Sequence, residues 1–137
     1  MALTHLLDTS VLTRLSRTPI REVVEPIASD GRAARAGITD LEIGFSAQNA
    51  QEWDTLSRSL SELELVETTA EHMRRARQTQ RLLAERGLQG RKIPDLLIAA
   101  AAEQEQLTLL HYDSDFDHIA TVTGLRCEWV VPRGSVD

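Results

Sequence analysis

The sequence predicts an α/β fold with a mainly parallel central sheet of four to five strands. Two observations carry this. Short apolar stretches of strand length recur along the chain, and each is followed by a longer segment with helical spacing or helix-capping residues. In addition, acidic residues gather just after several of the apolar stretches, where open α/β sheets place their sites.

Ala2 to Leu7 reads as the first strand and ends in Asp8. Asp8-Thr9-Ser10 supplies capping residues for a helix from Val11 to Leu15, which Pro19 ends. Ile20 to Ala28 reads as a second helix limited by Pro26, and Ser29-Asp30-Gly31 as a turn. Ala33 to Thr39 is an alanine-rich second strand, with Thr39 or Asp40 as cap of the helix that carries Glu42. Trp53, Leu56, Leu60 and Leu63 give Ala47 to Leu63 a helical period. Leu65 to Glu67 is a third strand, and Thr68-Thr69 caps a helix from Ala70 to Glu85 that Gly87 and Gly90 end. The next helix opens on Pro94-Asp95 and runs apolar from Leu96 to Ala102, so it is expected to be buried on nearly all sides. Leu107 to Leu110 is a fourth strand, Ser114 to Val122 a helix stopped by Gly124, and Cys127 to Val131 the last strand. Residues 1–131 form one domain, and 132–137 a C-terminal tail with no assigned role.

With 137 residues the chain is long enough to bury a sizeable core. Its 42% hydrophobic and 26% charged residues describe an ordinary globular protein. No apolar run approaches the roughly 18 residues of a membrane span, and no signal peptide is recognisable, so a cytoplasmic protein without membrane contact is expected. Cys127 is the only cysteine, which excludes an internal disulfide and a cysteine-cluster zinc site. A net charge of −6 argues against broad, non-specific coating of nucleic acid. Basic residues are concentrated between His72 and Lys92, where Arg74, Arg75, Arg77, Arg81, Arg86, Arg91 and Lys92 face a single acid, Glu85. Most of these arginines read as a solvated helix face, and His72 and His118 as surface residues.

Asp8 follows the first strand, Glu42 lies in the helix after the second, Asp113 and Asp115 follow the fourth, and Asp95 opens the apolar helix. Taken singly, each has an ordinary explanation as a capping or first-turn acid. Together at one sheet edge they would repel, raise one another's pKa values and titrate as a group. A divalent cation relieves that repulsion, and magnesium favours such oxygen ligands. The chemistry that follows is hydrolysis of a phosphodiester. Thr9 and Ser10 are read as helix caps whose hydroxyls are also placed to orient water. Arg91 and Lys92 are read either as contacts to RNA phosphates or as exposed loop charges.

Four motifs in this order and spacing carry a family resemblance: Leu6-Leu7-Asp8-Thr9-Ser10-Val11-Leu12, Ile38-Thr39-Asp40-Leu41-Glu42-Ile43, Ile93-Pro94-Asp95-Leu96-Leu97-Ile98-Ala99-Ala100 and Asp113-Ser114-Asp115-Phe116. Together they resemble a PIN-domain ribonuclease, more narrowly a VapC-type toxin of a toxin–antitoxin pair, over about residues 4 to 131. The resemblance implies an α/β/α sandwich and magnesium- or manganese-dependent endonucleolytic cleavage of RNA, often transfer or ribosomal RNA, by a metal-activated water. It implies a homodimer held inactive by a VapB-type antitoxin, which is expected to place a basic side chain in the acidic groove. Carried over by position, Asp8, Glu42, Asp95 and Asp113 match the catalytic, metal-binding quartet, and Asp115 a further acid near the metal. Many members have Thr or Ser where this chain has His111, which either replaces that hydroxyl through a ring nitrogen or fills space. The alternative is an RNA- or protein-binding PIN-like domain with little or no catalysis. A phosphate-accepting receiver domain is disfavoured, because Asp8 has no acidic neighbour and Lys92, the only lysine, is misplaced for one.

Overall fold

The computed structural model describes residues 2–137. Five strands form one sheet in the order β3-β2-β1-β4-β5: β1 (His5–Leu7), β2 (Ala33–Ala36), β3 (Glu64–Val66), β4 (Thr108–His111) and β5 (Cys127–Trp129). Every neighbouring pair is parallel. The helices are α1 (Thr9–Leu12), α2 (Thr18–Ser29), α3 (Gly37–Gly44), α4 (Ala50–Leu60), α5 (Ala70–Glu85), α6 (Ile93–Gln104) and α7 (Asp115–Thr123). The expected α/β/α arrangement is therefore present, with an all-parallel rather than mainly parallel sheet.

Strand alternation sorts the core into two layers. Leu6 and Leu109 face one side and pack with Ala76 and Leu83 of α5, Ile98 to Ala102 of α6, and Phe116 and Ile119 of α7. Their neighbours Leu7 and Leu110 face the other side and pack with Val11, Ile20 and Val24 of α1 and α2. A parallel sheet covered on both faces needs apolar residues in succession, and β1 and β4 supply them. Helix α6 is buried from Asp95 to Ala102 except at Leu97, and its four consecutive alanines suit a helix wedged among others. Gly124 ends α7 in the left-handed conformation (φ 74°), which costs glycine little.

The strand order reverses between β1 and β4, so a crevice opens at their carboxyl ends. The residues that leave these two strands are Asp8 and, two positions beyond His111, Asp113. Residues 132–137 fold back on this side of the sheet: Tyr112 donates its hydroxyl proton to the Val136 carbonyl at 2.7 Å and accepts the Gly134 N–H at 2.9 Å.

Two local expectations are corrected. Strand β2 stops at Ala36, and α3 begins at Gly37 with Ala36 as its N-cap, so neither Thr39 nor Asp40 caps it. Thr39 is fully buried inside the helix. Asp40 instead accepts the Arg35 Nε–H at 2.7 Å, and the same guanidinium donates to the carbonyls of Leu60 (2.9 Å) and Leu63. His72 is not a surface residue: it is 2% exposed and completes a capping box at the start of α5 with Thr69. Its Nδ1 accepts the Thr69 N–H at 3.2 Å.

Arg35 thus ties β2 to α3 and to the chain leading into β3. Its replacement by Met removes the guanidinium donor from the Asp40 carboxylate and the Leu63 carbonyl, and one of the two donors from the Leu60 carbonyl. The expected loss is about 2–3 kcal/mol in urea unfolding, with Asp40→Asn costing less. A midpoint unchanged by Arg35→Met would show the pair to be dispensable.

Candidate metal centre

The crevice at the ends of β1 and β4 collects all five acids singled out by the sequence. Asp8 caps α1, and its Oδ2 accepts the Ser10 N–H at 2.9 Å and the Ser10 hydroxyl at 2.5 Å. Ser10 Oγ in turn accepts the Tyr112 N–H at 2.9 Å, which fastens the start of α1 to the end of β4. Asp8 Oδ1 is buried and has no hydrogen-bond partner. Glu42 projects from α3, and its Oε1 accepts the Thr9 hydroxyl at 2.7 Å. Thr9 Oγ1 also lies 3.0 Å from Thr39 Oγ1. The hydroxyls of Thr9 and Ser10 are therefore spent on carboxylates, and Thr39, one turn before Glu42, is a supporting residue that sequence reasoning took for a cap.

Asp95 sits in the first turn of α6, 5% exposed, and its Oδ2 has no hydrogen-bond partner. Asp113 accepts the Asp115 N–H on Oδ1 at 2.9 Å, which fixes the turn into α7. Carboxylate oxygens of Asp95, Asp113 and Asp115 lie within 4.8 Å of one another. Asp8 and Glu42 stand outside this tightest set, but both Glu42 and Asp113 act on the Asp8 charge.

Two cations close the site. Lys92 Nζ is 2.7 Å from Asp113 Oδ2 and 3.8 Å from Asp95 Oδ2. The Arg91 guanidinium is 2.8 Å from Asp115 Oδ1. The sequence reading offered these residues as RNA contacts or free loop charges; here both are paired to the acids themselves. His111 is fully buried, with its ring 5.2 Å from Phe116 and 5.0 Å from Trp129. It reaches the acidic cluster only through its Nδ1, which accepts the Asp113 N–H at 3.2 Å.

Burial and mutual repulsion set the protonation of the site. Burial pushes the Asp8 carboxyl from 3.8 up to about 6, against the two Ser10 hydrogen bonds and with Glu42 and Asp113 adding to the rise. Burial, joined by the Asp8 charge, pushes Asp95 up to about 7, although Lys92 opposes it. Asp113 goes the other way: burial raises it, but Lys92 and the Asp115 N–H outweigh that and hold it below 3.8. The Lys92 ammonium is correspondingly raised by its bond to Asp113.

Both raised values mean that the folded chain binds more protons than the unfolded chain between about pH 4 and pH 7. In EDTA, thermal stability is therefore expected to fall as pH rises through that window. Asp95→Asn removes the buried charge and is expected to stabilise the metal-free protein at pH 8 by roughly 1–3 kcal/mol. Magnesium is expected to raise the midpoint of the wild type at pH 8 and to do less for the variant. A wild-type midpoint that rises steadily from pH 4 to pH 8 in EDTA contradicts this electrostatic assignment.

Comparison with known proteins agrees with the geometry. The PIN-domain family model matches residues 5–122. Ribonuclease VapC51 of Mycobacterium tuberculosis is 59% identical over 137 residues, covering all of both chains. Ribonuclease VapC21 of the same species is 40% identical, covering 98% of this chain and 99% of its own. Among solved structures, DNA-bound VapBC from Salmonella typhimurium superposes with a TM-score of 0.77 at 20% identity, covering 94% of this chain and 99% of that one. DNA-bound VapBC2 from Rickettsia felis gives 0.75 at 22% identity, with coverage of 94% and 99%. These two share the fold; the family assignment rests on the domain match and the full-length relatives. The chain belongs to the PIN-domain family and, within it, to the VapC ribonuclease toxins of toxin–antitoxin systems.

Proposed function

We propose that this toxin is an endoribonuclease that depends on Mg2+ or Mn2+ and hydrolyses phosphodiesters of a structured RNA, with transfer and ribosomal RNA as the first classes to test. One observation carries the reading. Five carboxylates meet at the sheet's switch point, and two of them, Asp8 and Asp95, are buried, each with one oxygen that has no hydrogen-bond partner among the described residues. Buried carboxylates without a compensating donor are costly, and their persistence fits a site built for a cation.

The residues present suit a hard divalent ion: the donors are oxygens, three within 4.8 Å, with two further acids beside them. Asp95, Asp113 and Asp115 would hold it, with Asp8 and Glu42 completing the acidic ring. Such an ion, when bound, offsets the crowded negative charge and makes an attacking water more acidic. Ser10 and Thr9 hold Asp8 and Glu42 in place. Asp8 Oδ1, which has no hydrogen-bond partner among the described residues, would be the acceptor for the proton that the water gives up. Lys92 and Arg91 neutralise the acids in the resting protein, and on substrate entry they turn to the RNA phosphates.

A VapB-type antitoxin and a second copy of this chain are the proposed protein partners. Solved structural relatives include complexes of toxin with antitoxin. Beside the acidic crevice, Leu41 (66% exposed), Phe45 (91%) and Ile93 (66%) leave apolar surface that suits coverage by a partner. Among the described residues no helix is long and apolar enough to cross a membrane.

Purified protein is expected to cut a small-RNA pool at discrete positions with Mg2+ or Mn2+ and not with EDTA, leaving 5′-phosphate and 3′-hydroxyl ends. Asp8→Asn and Asp113→Asn are expected to lower the rate at least about 100-fold. Lys92→Ala is expected to tighten Mg2+ binding measured without RNA, because Asp113 loses its internal cation. Cuts that survive Asp8→Asn, or ends bearing 2′,3′-cyclic phosphate, would overturn the mechanism. RNA binding without cleavage under either metal would favour the binding-domain alternative.

A further inference from the structure

A second group of potential ligands has a different chemical character from the acidic cluster. A ring nitrogen of His111, a carboxylate oxygen of Asp117 and Sγ of Cys127 lie within 4.8 Å of one another. They come from three elements, the end of β4, the first turn of α7 and the start of β5. His111 is fully buried, and with Nδ1 taken up by the Asp113 N–H its Nε2 has no hydrogen-bond partner among the described residues. Cys127 is half-buried, and its thiol makes a weak hydrogen bond, 3.8 Å to the Phe116 carbonyl. Asp117 is exposed and accepts the Trp129 indole N–H on Oδ2 at 3.1 Å, with lone pairs to spare.

We propose that His111, Asp117 and Cys127 form a second metal site, of the zinc class, distinct from the acidic crevice. The donor set is one imidazole nitrogen, one thiolate sulfur and one carboxylate oxygen. That mixture suits Zn2+ and poorly suits Mg2+, which prefers oxygen alone. A tetrahedral zinc with bonds of about 2.0–2.3 Å holds its ligands about 3.3–3.8 Å apart. Separations below 4.8 Å therefore need to close by at most about 1.5 Å. Exposed Asp117 provides the entry side, and solvent takes the fourth position. The site also answers the orphaned Nε2, which otherwise stays buried at a cost with nothing to bond.

Proton balance links this site to the first one. The Cys127 thiol, raised by burial and by Asp117 and Glu128, gives up its proton when the ion binds. A neutral imidazole carries one proton. While Nδ1 accepts the Asp113 N–H, that proton is on Nε2. Binding the ion at Nε2 moves the proton to Nδ1 and ends the 3.2 Å contact from the Asp113 N–H. Zinc here therefore frees the backbone of an acid of the catalytic crevice.

Cobalt(II) added to the tag-free full-length protein, with Mg2+ saturating the acidic crevice, tests this. Thiolate coordination is expected to give an intense near-ultraviolet charge-transfer band that saturates at one equivalent and bleaches when Zn2+ displaces the cobalt. Cys127→Ser is expected to abolish the band, and Asp117→Asn, at an exposed position that leaves folding intact, to weaken cobalt binding at least about tenfold. Glu42→Gln is expected to leave the band unchanged. No band, or a band that survives Cys127→Ser, overturns the proposal; so does an Asp117→Asn variant with wild-type affinity.

Discussion

Repulsion among carboxylates that the fold refuses to separate is the constraint on which this structure turns. Parallel strands β1 and β4 end side by side, and the chain leaves each of them on an acid or within two residues of one. Helix α6 then brings Asp95 to the same place with a nearly uncharged, alanine-rich body behind it. A site of this kind stores unfavourable electrostatic energy in the metal-free protein. Two internal cations offset part of it. Lys92 bridges Asp113 towards Asp95 and Arg91 pairs with Asp115, while burial raises Asp8 to about 6 and Asp95 to about 7. In the proposed function these internal cations give way to a divalent ion and a phosphate backbone.

The surrounding fold is built to keep that cluster rigid. Ser10 joins Asp8 to the backbone after β4, Thr9 joins α1 to Glu42, and the Asp115 N–H pins Asp113. These are short, local hydrogen bonds made by residues within two positions of an acid, or by a hydroxyl facing one across the crevice. The apolar layers on both faces of the sheet leave little room for the strand ends to splay. Rigidity matters because a metal site whose ligands relax apart loses both its repulsion and its selectivity.

Much of this was legible in the sequence, for physical reasons. Strand–helix alternation follows from apolar runs of four to six residues broken by capping and turn residues, and three of the five acids, Asp8, Asp113 and Asp115, stand just after those runs. The pairing partners were not legible. Nothing local indicates that Lys92 reaches Asp113 across 21 positions, or that Asp40, inside α3, pairs with Arg35. His72 looked like a surface residue because its neighbours are charged, yet its ring turns back to complete a capping box and is buried in doing so. Thr39 was misplaced because β2 ends three residues earlier than its apolar content suggests. The likeness of His111 to a substituted Thr or Ser position was visible. Its burial beside Cys127 and Asp117 required the fold to bring β4, β5 and α7 together.

The central claim is that the buried acids hold protons in exchange for a divalent ion. Calorimetric titration of Mn2+ in buffers of different ionisation enthalpy, at pH 6 and pH 8.5, measures that exchange directly. Ion binding is expected to release about one to two protons at pH 6, where Asp95 is largely and Asp8 about half protonated, and close to none at pH 8.5. Equal proton release at the two pH values, or release at pH 6 that persists in the Asp8→Asn, Asp95→Asn double variant, would contradict it.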